Sequence, residues 1–280
     1  MPQFRHKKFV RSGEPPEAFR IQPRDHEILR DLADYRFLST EQILALYPSS
    51  PRNVRLRLQK LYQLGYLERP AAQKAFLRAD HPLVYSLGAR GAEFLERRDF
   101  VKNKEFGVPY LDHAIMISQF RVVLTLALKK YPTHPKIKRW WQGYELKDAL
   151  KVRGQSPELV PDAFFTIEEH GDVLDFFLEA DRSTMVRDKV LQKMKTYWKW
   201  HREQRYAKPL GIENFRVLTI TPSQERADNL CETTKQADDR RTGSNMFLFL
   251  PKTAYSLDRP ETILQPIWMS AKGERHALLE

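Results

Sequence analysis

The stretch from residue 160 to residue 197 constrains the fold of this chain more than any other. It contains two short β-prone runs, residues 163–167 and 173–178, separated by a polar segment that includes Gly171. Short β-prone runs around a glycine-containing polar turn are typical of a β-hairpin. We therefore predict a hairpin whose turn is centred on His170 and Gly171.

Acidic residues stand at the open end of this predicted hairpin. Asp162 begins the first strand, and Glu179 and Asp181 end the second. With the turn at residues 170–171, Asp162 lies directly opposite Glu179, and their Cβ atoms are about 5 Å apart. Like charges at that distance repel each other, so we expect a neutralising group, and a divalent cation such as Mg²⁺ or Mn²⁺ is the natural one.

The segments on either side of the hairpin predict a mixed α/β domain. A helix is expected over residues 111–131. A strand is expected to follow in residues 136–150, carrying Trp140, Trp141 and Tyr144, with Glu145 near its end. The near-continuous apolar runs 215–220 and 246–250 read as buried strands, which indicates a sheet covered by helices on both faces.

A helix is predicted to follow the hairpin directly. Ser183 or Thr184 is expected to cap it, and it runs to about Arg205. The buried stripe of this helix is predicted to consist of Val186, Val190, Met194 and Tyr197. Lys189 and Lys193 are expected to lie on the shoulder of that stripe. A further amphipathic helix is expected at residues 222–236.

The first hundred residues have the element order of a winged helix-turn-helix domain. Three short helices are predicted, the second capped by Ser39 and the third, from about Arg52 to Leu64, opened by Pro51 and closed by Gly65. Two short strands, a loop between them and a closing helix over residues 89–98 follow. In this fold the third helix enters the major groove of DNA.

The third helix and the loop between the strands carry the candidate DNA-binding residues. Residues 51–67 contain no acidic side chain, and the helix is rich in arginine. The candidate contacts are Arg52, Asn53, Arg55, Arg57, Gln59 and Lys60 on the helix, with Lys74 and Arg78 on the loop. Arginine and lysine serve phosphates and guanine edges, and asparagine and glutamine read adenine. Winged helices also serve as protein–protein modules, and the positive charge is what favours DNA here.

The composition agrees with a nucleic-acid partner and excludes several classes of protein and of site. The chain of 280 residues has a formal net charge of +11, which indicates a polyanionic partner. One cysteine rules out an intramolecular disulfide and a cysteine-based zinc cluster. The sequence shows no secretory signal, no apolar run of membrane-spanning length, no glycine-rich phosphate loop and no hydrolase or zincin motif, so we expect a cytoplasmic protein without a membrane partner.

Five short segments stand in an order that is typical of a known family: Leu111-Asp112-His113, the segment Trp141 to Glu145, Pro161-Asp162, the segment Phe177 to Thr184, and Lys193 with Tyr197. Through these residues the chain resembles the replication-relaxation family of plasmids and integrative mobile elements. The resemblance implies a basic arm at residues 1–20 followed by a winged helix at residues 21–98. After a linker at residues 99–108, it implies a PD-(D/E)xK nuclease-like domain of the restriction-endonuclease-like fold at residues 109–280. It also implies binding to double-stranded DNA of a mobile element.

One position departs from the PD-(D/E)xK pattern. A lysine normally follows the last acid by two residues, and here that position is Asp181. Lys193 on the following helix is our first substitute and Lys189 the second. The resemblance then implies catalytic roles for Asp162, Glu179 and Lys193, and metal ligation by Asp162, Glu179, Asp181 and Glu145.

Two functions of different classes remain open at this point. The first is a Mg²⁺- or Mn²⁺-dependent DNA endonuclease or nickase. The second is a DNA-binding replication or mobilisation accessory factor, or a transcription regulator, that keeps a degenerate nuclease fold and needs no cofactor. Replication or mobilisation proteins of the same element are further expected partners, and the sequence leaves a homodimer open.

Overall fold

A computed structural model describes residues 9–11, 19–75, 82–97, 107–151, 154–204 and 207–280. The chain forms two compact units, residues 1–122 and 123–280. Most of the predicted linker (99–108), most of the predicted basic arm and Arg78 lie outside the described residues.

The first unit combines short helices with a small antiparallel sheet. Its helices are α1 (Pro23–Tyr35), α2 (Thr40–Leu46), α3 (Pro51–Gln63) and α4 (Ala89–Phe94), followed by the first part of α5 (Val108–Lys130). Its strands are β1 (Leu38–Ser39), β2 (Leu67–Glu68) and β3 (Val84–Leu87), in the order β1-β3-β2. The predicted helices and two strands are present, β1 is an additional strand, and α4 ends earlier than expected.

Local sequence signals explain where α2 and α3 begin. Ser39 Oγ accepts a hydrogen bond from Gln42 N, and Gln42 Oε1 accepts one from Ser39 N, which is a complete capping box. Pro51 occupies the first turn of α3, where its missing N–H costs nothing. Gly65 follows α3 with a φ of +81°, a conformation that favours glycine. The predicted Ser39 cap and the predicted third helix are therefore confirmed.

The second unit is a seven-stranded mixed sheet flanked by helices, as expected for the α/β class. Its strands are β4 (Lys136–Gln142), β5 (Ala163–Glu169), β6 (Asp172–Ala180), β7 (Arg216–Thr221), β8 (Phe247–Pro251), β9 (Trp268–Ser270) and β10 (Arg275–His276). They lie in the order β10-β9-β8-β7-β6-β5-β4, with β6, β7 and β8 parallel and the other pairs antiparallel. Its helices beyond α5 are α6 (Gly143–Ala149), α7 (Arg187–Glu203), α8 (Ala207–Leu210) and α9 (Gln224–Lys235).

The predicted hairpin has the predicted register. Ala163 pairs with Leu178 and Glu169 pairs with Asp172, so His170 and Gly171 form a two-residue turn. Both turn residues have positive φ values, +53° and +97°. Such a turn has the twist that suits the two strands it connects, and glycine adopts it without strain.

Two sequence predictions about neighbouring elements were wrong. Tyr144 and Glu145 lie on helix α6 and not on a strand, because Gly143 (φ +59°) ends β4 and the next residues form a helix that buries Leu146 and Leu150. The helix after the hairpin begins at Arg187, with Val186 at the N-cap position and no side-chain cap. Val186 is therefore exposed and does not belong to the buried stripe.

The core of the second unit is aromatic and lies between the sheet and helices α7 and α9. Phe177 on β6 packs against the rings of Phe164, Tyr197, Trp200 and Phe215, with centroid distances of 4.9–5.9 Å. All of these side chains are buried. This packing fixes α7 against the C-terminal half of β6, where the predicted acidic residues stand.

Helix α5 has the length and composition of a helix that could cross a membrane. The same properties suit the core helix of a globular protein. Phe120, Val123, Leu124 and Leu128 on this helix are buried within the protein.

Candidate functional site

Three adjacent strands place a row of polar residues at one edge of the large sheet. The pairing of Ala163 with Leu178, continued by one residue, sets Asp162 opposite Glu179 as predicted. On the other side of β6, Glu179 pairs with Thr219 of β7. Asp162 Oδ2 accepts a hydrogen bond from Ala180 N at 2.8 Å, which ties the start of β5 to the end of β6.

Helix α7 supplies two donors to Glu179. Lys193 Nζ lies 2.7 Å from Glu179 Oε2, and Tyr197 Oη lies 2.6 Å from Glu179 Oε1. Because Lys193 and Tyr197 are four residues apart, they project from the same face of the helix. The buried stripe formed by Val190, Met194 and Tyr197 turns this face towards the sheet.

Burial controls the electrostatics of this cluster. The Glu179 side chain is almost fully buried, and this desolvation raises its pKa to about 7, although Lys193 and Tyr197 favour the ionised form. Nearby Asp162 raises the Glu179 pKa further. Burial lowers the pKa of Lys193, but the charge and hydrogen bond of Glu179 outweigh it, with help from Asp162 and Asp181, so the Lys193 pKa is raised. Burial and the Glu179 charge raise the pKa of Tyr197 as well.

Asp181, the residue at the position usually occupied by lysine, makes a separate ion pair. Arg226 on α9 donates from Nε to Asp181 Oδ2 at 2.8 Å and from Nη2 to Asp181 Oδ1 at 3.0 Å. The same guanidinium donates to Met185 O, and Asp181 Oδ2 accepts from Ser183 N. We call these contacts the Asp181–Arg226 clamp, and they hold the connection between β6 and α7.

The structure thus unites some of the predicted site residues and separates others. Asp162, Glu179 and Lys193 lie together, whereas Asp181 is engaged by Arg226. Glu145 is exposed on helix α6, away from the strand on which it was predicted. Among the described residues, no group of three or more His, Cys, Asp or Glu side chains is arranged to hold a metal ion.

Sequence reasoning assigned no role to two residues of this site. Tyr197 was recognised as a buried helix residue, and its position four residues after Lys193 is the signal that would have linked it to Glu179. Arg226 is 45 residues from Asp181 in sequence, and no spacing pattern connects the two. Only the packing of α9 on the sheet brings them together.

The predicted DNA-binding residues on α3 fall into two groups. Arg52, Asn53, Arg55, Gln59 and Lys60 are exposed. They lie opposite the buried stripe Val54, Leu58 and Leu61.

Arg57 has a different environment from the other basic residues of α3. Its Nε lies 2.8 Å from Oδ1 of the fully buried Asp25, and its guanidinium stacks 4.2 Å from the ring centroid of Phe19. Arg57 is therefore the charge partner of a buried carboxylate. Lys74 on the loop after β2 is exposed and lies 5.2 Å from the ring centroid of Phe9.

A family model described as Replication-relaxation matches residues 29–213. The chain belongs to the replication-relaxation family. The matched segment extends from α1 to the residues just before β7, so it includes α3, Asp162, Glu179, Lys193 and Tyr197. No curated protein and no solved structure matches the chain.

Membership in the replication-relaxation family indicates a role in the replication or relaxation of plasmid or mobile-element DNA. Arg226 lies beyond the matched segment. The Asp181–Arg226 clamp is therefore a feature of this chain that the family match does not supply.

Proposed function

We propose that this protein binds double-stranded DNA through the exposed face of α3 and hydrolyses a phosphodiester bond at the Asp162–Glu179–Lys193 cluster. The observation that supports the catalytic part most directly is the convergence of two carboxylates and one ammonium group from β5, β6 and α7. The reaction fits the description Replication-relaxation, because relaxation of supercoiled DNA requires a strand break.

DNA binding is proposed for the first unit. The three helices and the small antiparallel sheet follow the element order of a winged helix-turn-helix, in which the third helix enters the major groove. The exposed side of α3 carries three positive charges, Arg52, Arg55 and Lys60, together with the amides of Asn53 and Gln59. Phosphate contacts by the cations would give affinity for any sequence, and the amides could read base edges. Arg57 contributes by holding α3 in place through Asp25.

A divalent cation held by two carboxylates is the cofactor that we propose for the cluster, since the described residues assemble no group of three or more protein ligands. Mg²⁺ is commonly held by one or two carboxylates together with substrate phosphate and water, and Asp162 and Glu179 are two facing carboxylates. When bound, such an ion supplies a more acidic water molecule and shields charge on the scissile phosphate. Asp162 and Glu179 would hold it, and Lys193 would turn its ammonium from Glu179 to the phosphate oxygens. Tyr197 would keep its hydrogen bond to Glu179 and orient that carboxylate.

Nicking of supercoiled plasmid with Mg²⁺ or Mn²⁺ tests the catalytic proposal. The wild type should convert supercoiled to open-circular or linear DNA, and Asp162→Asn and Glu179→Gln should each abolish the conversion. The matched control is Asp172→Asn, which removes a carboxylate at the far end of the same hairpin. Activity that survives both site substitutions would exclude this cluster as the catalytic site.

The salt dependence of duplex binding tests the role of α3. Each phosphate contact that is lost should reduce the slope of log affinity against log salt by about one unit. We expect Arg52→Ala/Arg55→Ala to reduce this slope by up to about two units. The control Arg240→Ala/Arg241→Ala removes the same charge from an exposed turn of the second unit and should leave the slope nearly unchanged. Equal slopes for both double variants would remove α3 from the interface.

A second candidate is a DNA-binding accessory factor without nuclease activity. It is favoured by the ion pairs themselves, because Lys193 neutralises Glu179 and Arg226 neutralises Asp181. In that case the cluster stabilises the fold and the first unit carries the function. Duplex binding through α3 with no nicking in either metal would support this candidate.

A further inference from the structure

A leucine lies at the centre of the exposed side of helix α3. Leu56 is 49% exposed, whereas Val54, Leu58 and Leu61 are buried. Since an α-helix turns by about 100° per residue, Leu56 stands almost opposite Val54 and Leu58, each of which is two positions away. The most solvent-facing position of an amphipathic helix normally holds a polar or charged side chain. The packing of α3 on the rest of the first unit therefore does not explain an apolar side chain at this position.

The side chains around Leu56 are basic or carry amides. Residues three or four positions apart on a helix have Cβ atoms about 5–6 Å apart. Arg52 and Lys60 are such neighbours of Leu56, four positions away on either side. Asn53 and Gln59 are neighbours at three positions, and all four of these side chains are exposed. The geometry of the helix thus joins them into one surface with the leucine in the middle, which we call the Leu56 face.

The positive charge of the Leu56 face is not offset by any acid on the same helix. Residues 51–67 contain no Asp or Glu. Arg55 adds a third exposed cation beside Arg52 and Lys60. Such a surface attracts a polyanion, in agreement with the net charge of +11 of the whole chain. The partner that suits this face presents anionic groups around a small apolar patch.

The major groove of duplex DNA has this combination of groups. Phosphates border the groove, and in it each A·T base pair presents the C5-methyl group of thymine beside N7 and the N6 amino group of adenine. Apolar side chains contact the methyl group, and asparagine or glutamine binds the adenine edge. A G·C base pair has no methyl group in the groove.

We propose that Leu56 packs against thymine methyl groups in the major groove, so that the Leu56 face selects duplex DNA with A·T base pairs at its centre. Asn53 and Gln59, on either side of the leucine, bind adenine edges, and Arg52 and Lys60 bind the flanking phosphates. The inference rests on the proposed duplex binding through α3 and adds a base preference to it. A protein partner is the alternative occupant, and the basic, acid-free surroundings of Leu56 favour DNA.

Two duplexes that differ only in the thymine methyl group test this proposal. The probes are labelled oligo(dA)·oligo(dT) and oligo(dA)·oligo(dU) of about 20 base pairs, or about two helical turns. Uracil lacks the C5-methyl group and keeps the hydrogen-bonding groups of thymine. Because all base pairs of a probe are identical, every binding register presents the same contacts. Fluorescence anisotropy with the full chain measures both affinities, and we expect the wild type to bind the dT duplex about fourfold more tightly for each methyl group that it buries.

Substitutions at position 56 assign the preference to the leucine. Leu56→Ala should weaken binding of the dT duplex by about fourfold for each methyl contact that is lost, and should change binding of the dU duplex by less than about twofold. Leu56→Met keeps a long apolar side chain and should retain the preference. The control Val173→Ala shortens another exposed aliphatic side chain, in the second unit, and should bind both probes like the wild type.

Three results would overturn the proposal. The first is equal affinity of the wild type for the two duplexes. The second is a preference for the dT duplex that survives Leu56→Ala, since it would then come from the shape of the duplex and not from the leucine. The third is an equal loss of affinity for both duplexes in Leu56→Ala. A changed oligomeric state of Leu56→Ala with an unchanged preference belongs to the second result and would assign Leu56 to a protein interface.

The outcome for Leu56 and the outcome for the proposed function can be told apart. Duplex binding that depends on Arg52 and Arg55, combined with equal affinities of the wild type for the two probes, overturns the inference and leaves DNA binding by the first unit intact. Failure of the wild type to bind either duplex overturns both.

Discussion

Removing the Lys193 ammonium gives a sharp test of the electrostatics at the candidate site. In Lys193→Met the Glu179 carboxylate stays buried and keeps only Tyr197 as a side-chain donor among the contacts described above. A buried charge that loses its partner costs about 3–5 kcal/mol. The carboxyl can avoid this cost only by binding a proton, so the destabilisation must depend on pH.

The sign follows from the direction of the Glu179 pKa. Burial raises this pKa from 4.5 to about 7 in the wild type, and loss of Lys193 raises it further. Because the folded-state pKa lies above the unfolded-state value of about 4.5, the folded state binds more protons between these two pH values. The stability that this gives is fully present below about pH 4.5 and is lost as pH rises through the folded pKa. We therefore expect Lys193→Met to cost about 1 kcal/mol near pH 5, where Glu179 is protonated, and up to about 3 kcal/mol near pH 8.5, because keeping the carboxyl protonated from pH 7 to pH 8.5 costs about 2 kcal/mol more.

Tryptophan fluorescence during urea denaturation measures the stability of the second unit, which contains Lys193 and Glu179. All five tryptophans (Trp140, Trp141, Trp198, Trp200 and Trp268) lie in the second unit, so their signal reports its unfolding. The control is Lys189→Met, which removes an exposed lysine from the same helix and should change stability by less than about 0.5 kcal/mol at either pH.

A double variant completes the test. Lys193→Met/Glu179→Gln has no Glu179 carboxyl to titrate. The destabilisation of this double variant relative to the wild type should therefore not increase between pH 5 and pH 8.5, unlike that of Lys193→Met. A cost of Lys193→Met that is the same at pH 5 and pH 8.5 would refute the reasoning. It would mean that the ion pair with Glu179 does not set the energetics of this buried carboxylate.

Three further predictions concern other contacts. Arg57→Met should destabilise the first unit by about 3–5 kcal/mol, because it leaves the buried Asp25 without its arginine. The control Arg55→Met should cost less than about 0.5 kcal/mol. Hydrogen exchange of the backbone amides in α1 and α3 would measure both changes. Ser39→Ala should cost about 1 kcal/mol through loss of the α2 cap, seen as faster exchange of the Gln42 amide, and equal exchange rates would contradict the capping role. Arg226→Met should weaken the clamp and make the connection between β6 and α7 more susceptible to proteolysis, and Arg202→Met, an exposed arginine on α7, should not.

The hairpin and the candidate site differ in how much of them the sequence could predict. The two β-prone runs and the turn at His170 and Gly171 were sufficient to predict the register that pairs Ala163 with Leu178. The helical spacing of Val190, Met194 and Tyr197 placed Lys193 on the shoulder of the inward stripe of α7. These are local signals, because each depends on residues within one strand or a few helical turns.

The errors arose where a backbone conformation or a distant partner decides the outcome. The apolar residues around Trp141 and Tyr144 suit a strand, but the left-handed conformation of Gly143 turns the chain into α6. Ser183 and Thr184 are good cap residues, yet the Asp181–Arg226 clamp organises this connection and moves the start of the helix to Arg187. Neither feature is encoded in a periodic pattern.

The Asp181–Arg226 clamp gives a structural role to Asp181, the acid that stands where the PD-(D/E)xK pattern has a lysine. A lysine at position 181 would place its ammonium group close to the Arg226 guanidinium, which now lies 2.8 Å from the Asp181 carboxylate. The two positive charges would repel each other. Residues 181 and 226 therefore form a charge pair in which Arg226 on α9 neutralises the acid that directly follows β6. The cation that accompanies Glu179 comes instead from α7, where Lys193 reaches Glu179 Oε2 at 2.7 Å. If the proposed nuclease site is active, Lys193 on α7 would supply the ammonium group that the PD-(D/E)xK pattern places on the strand.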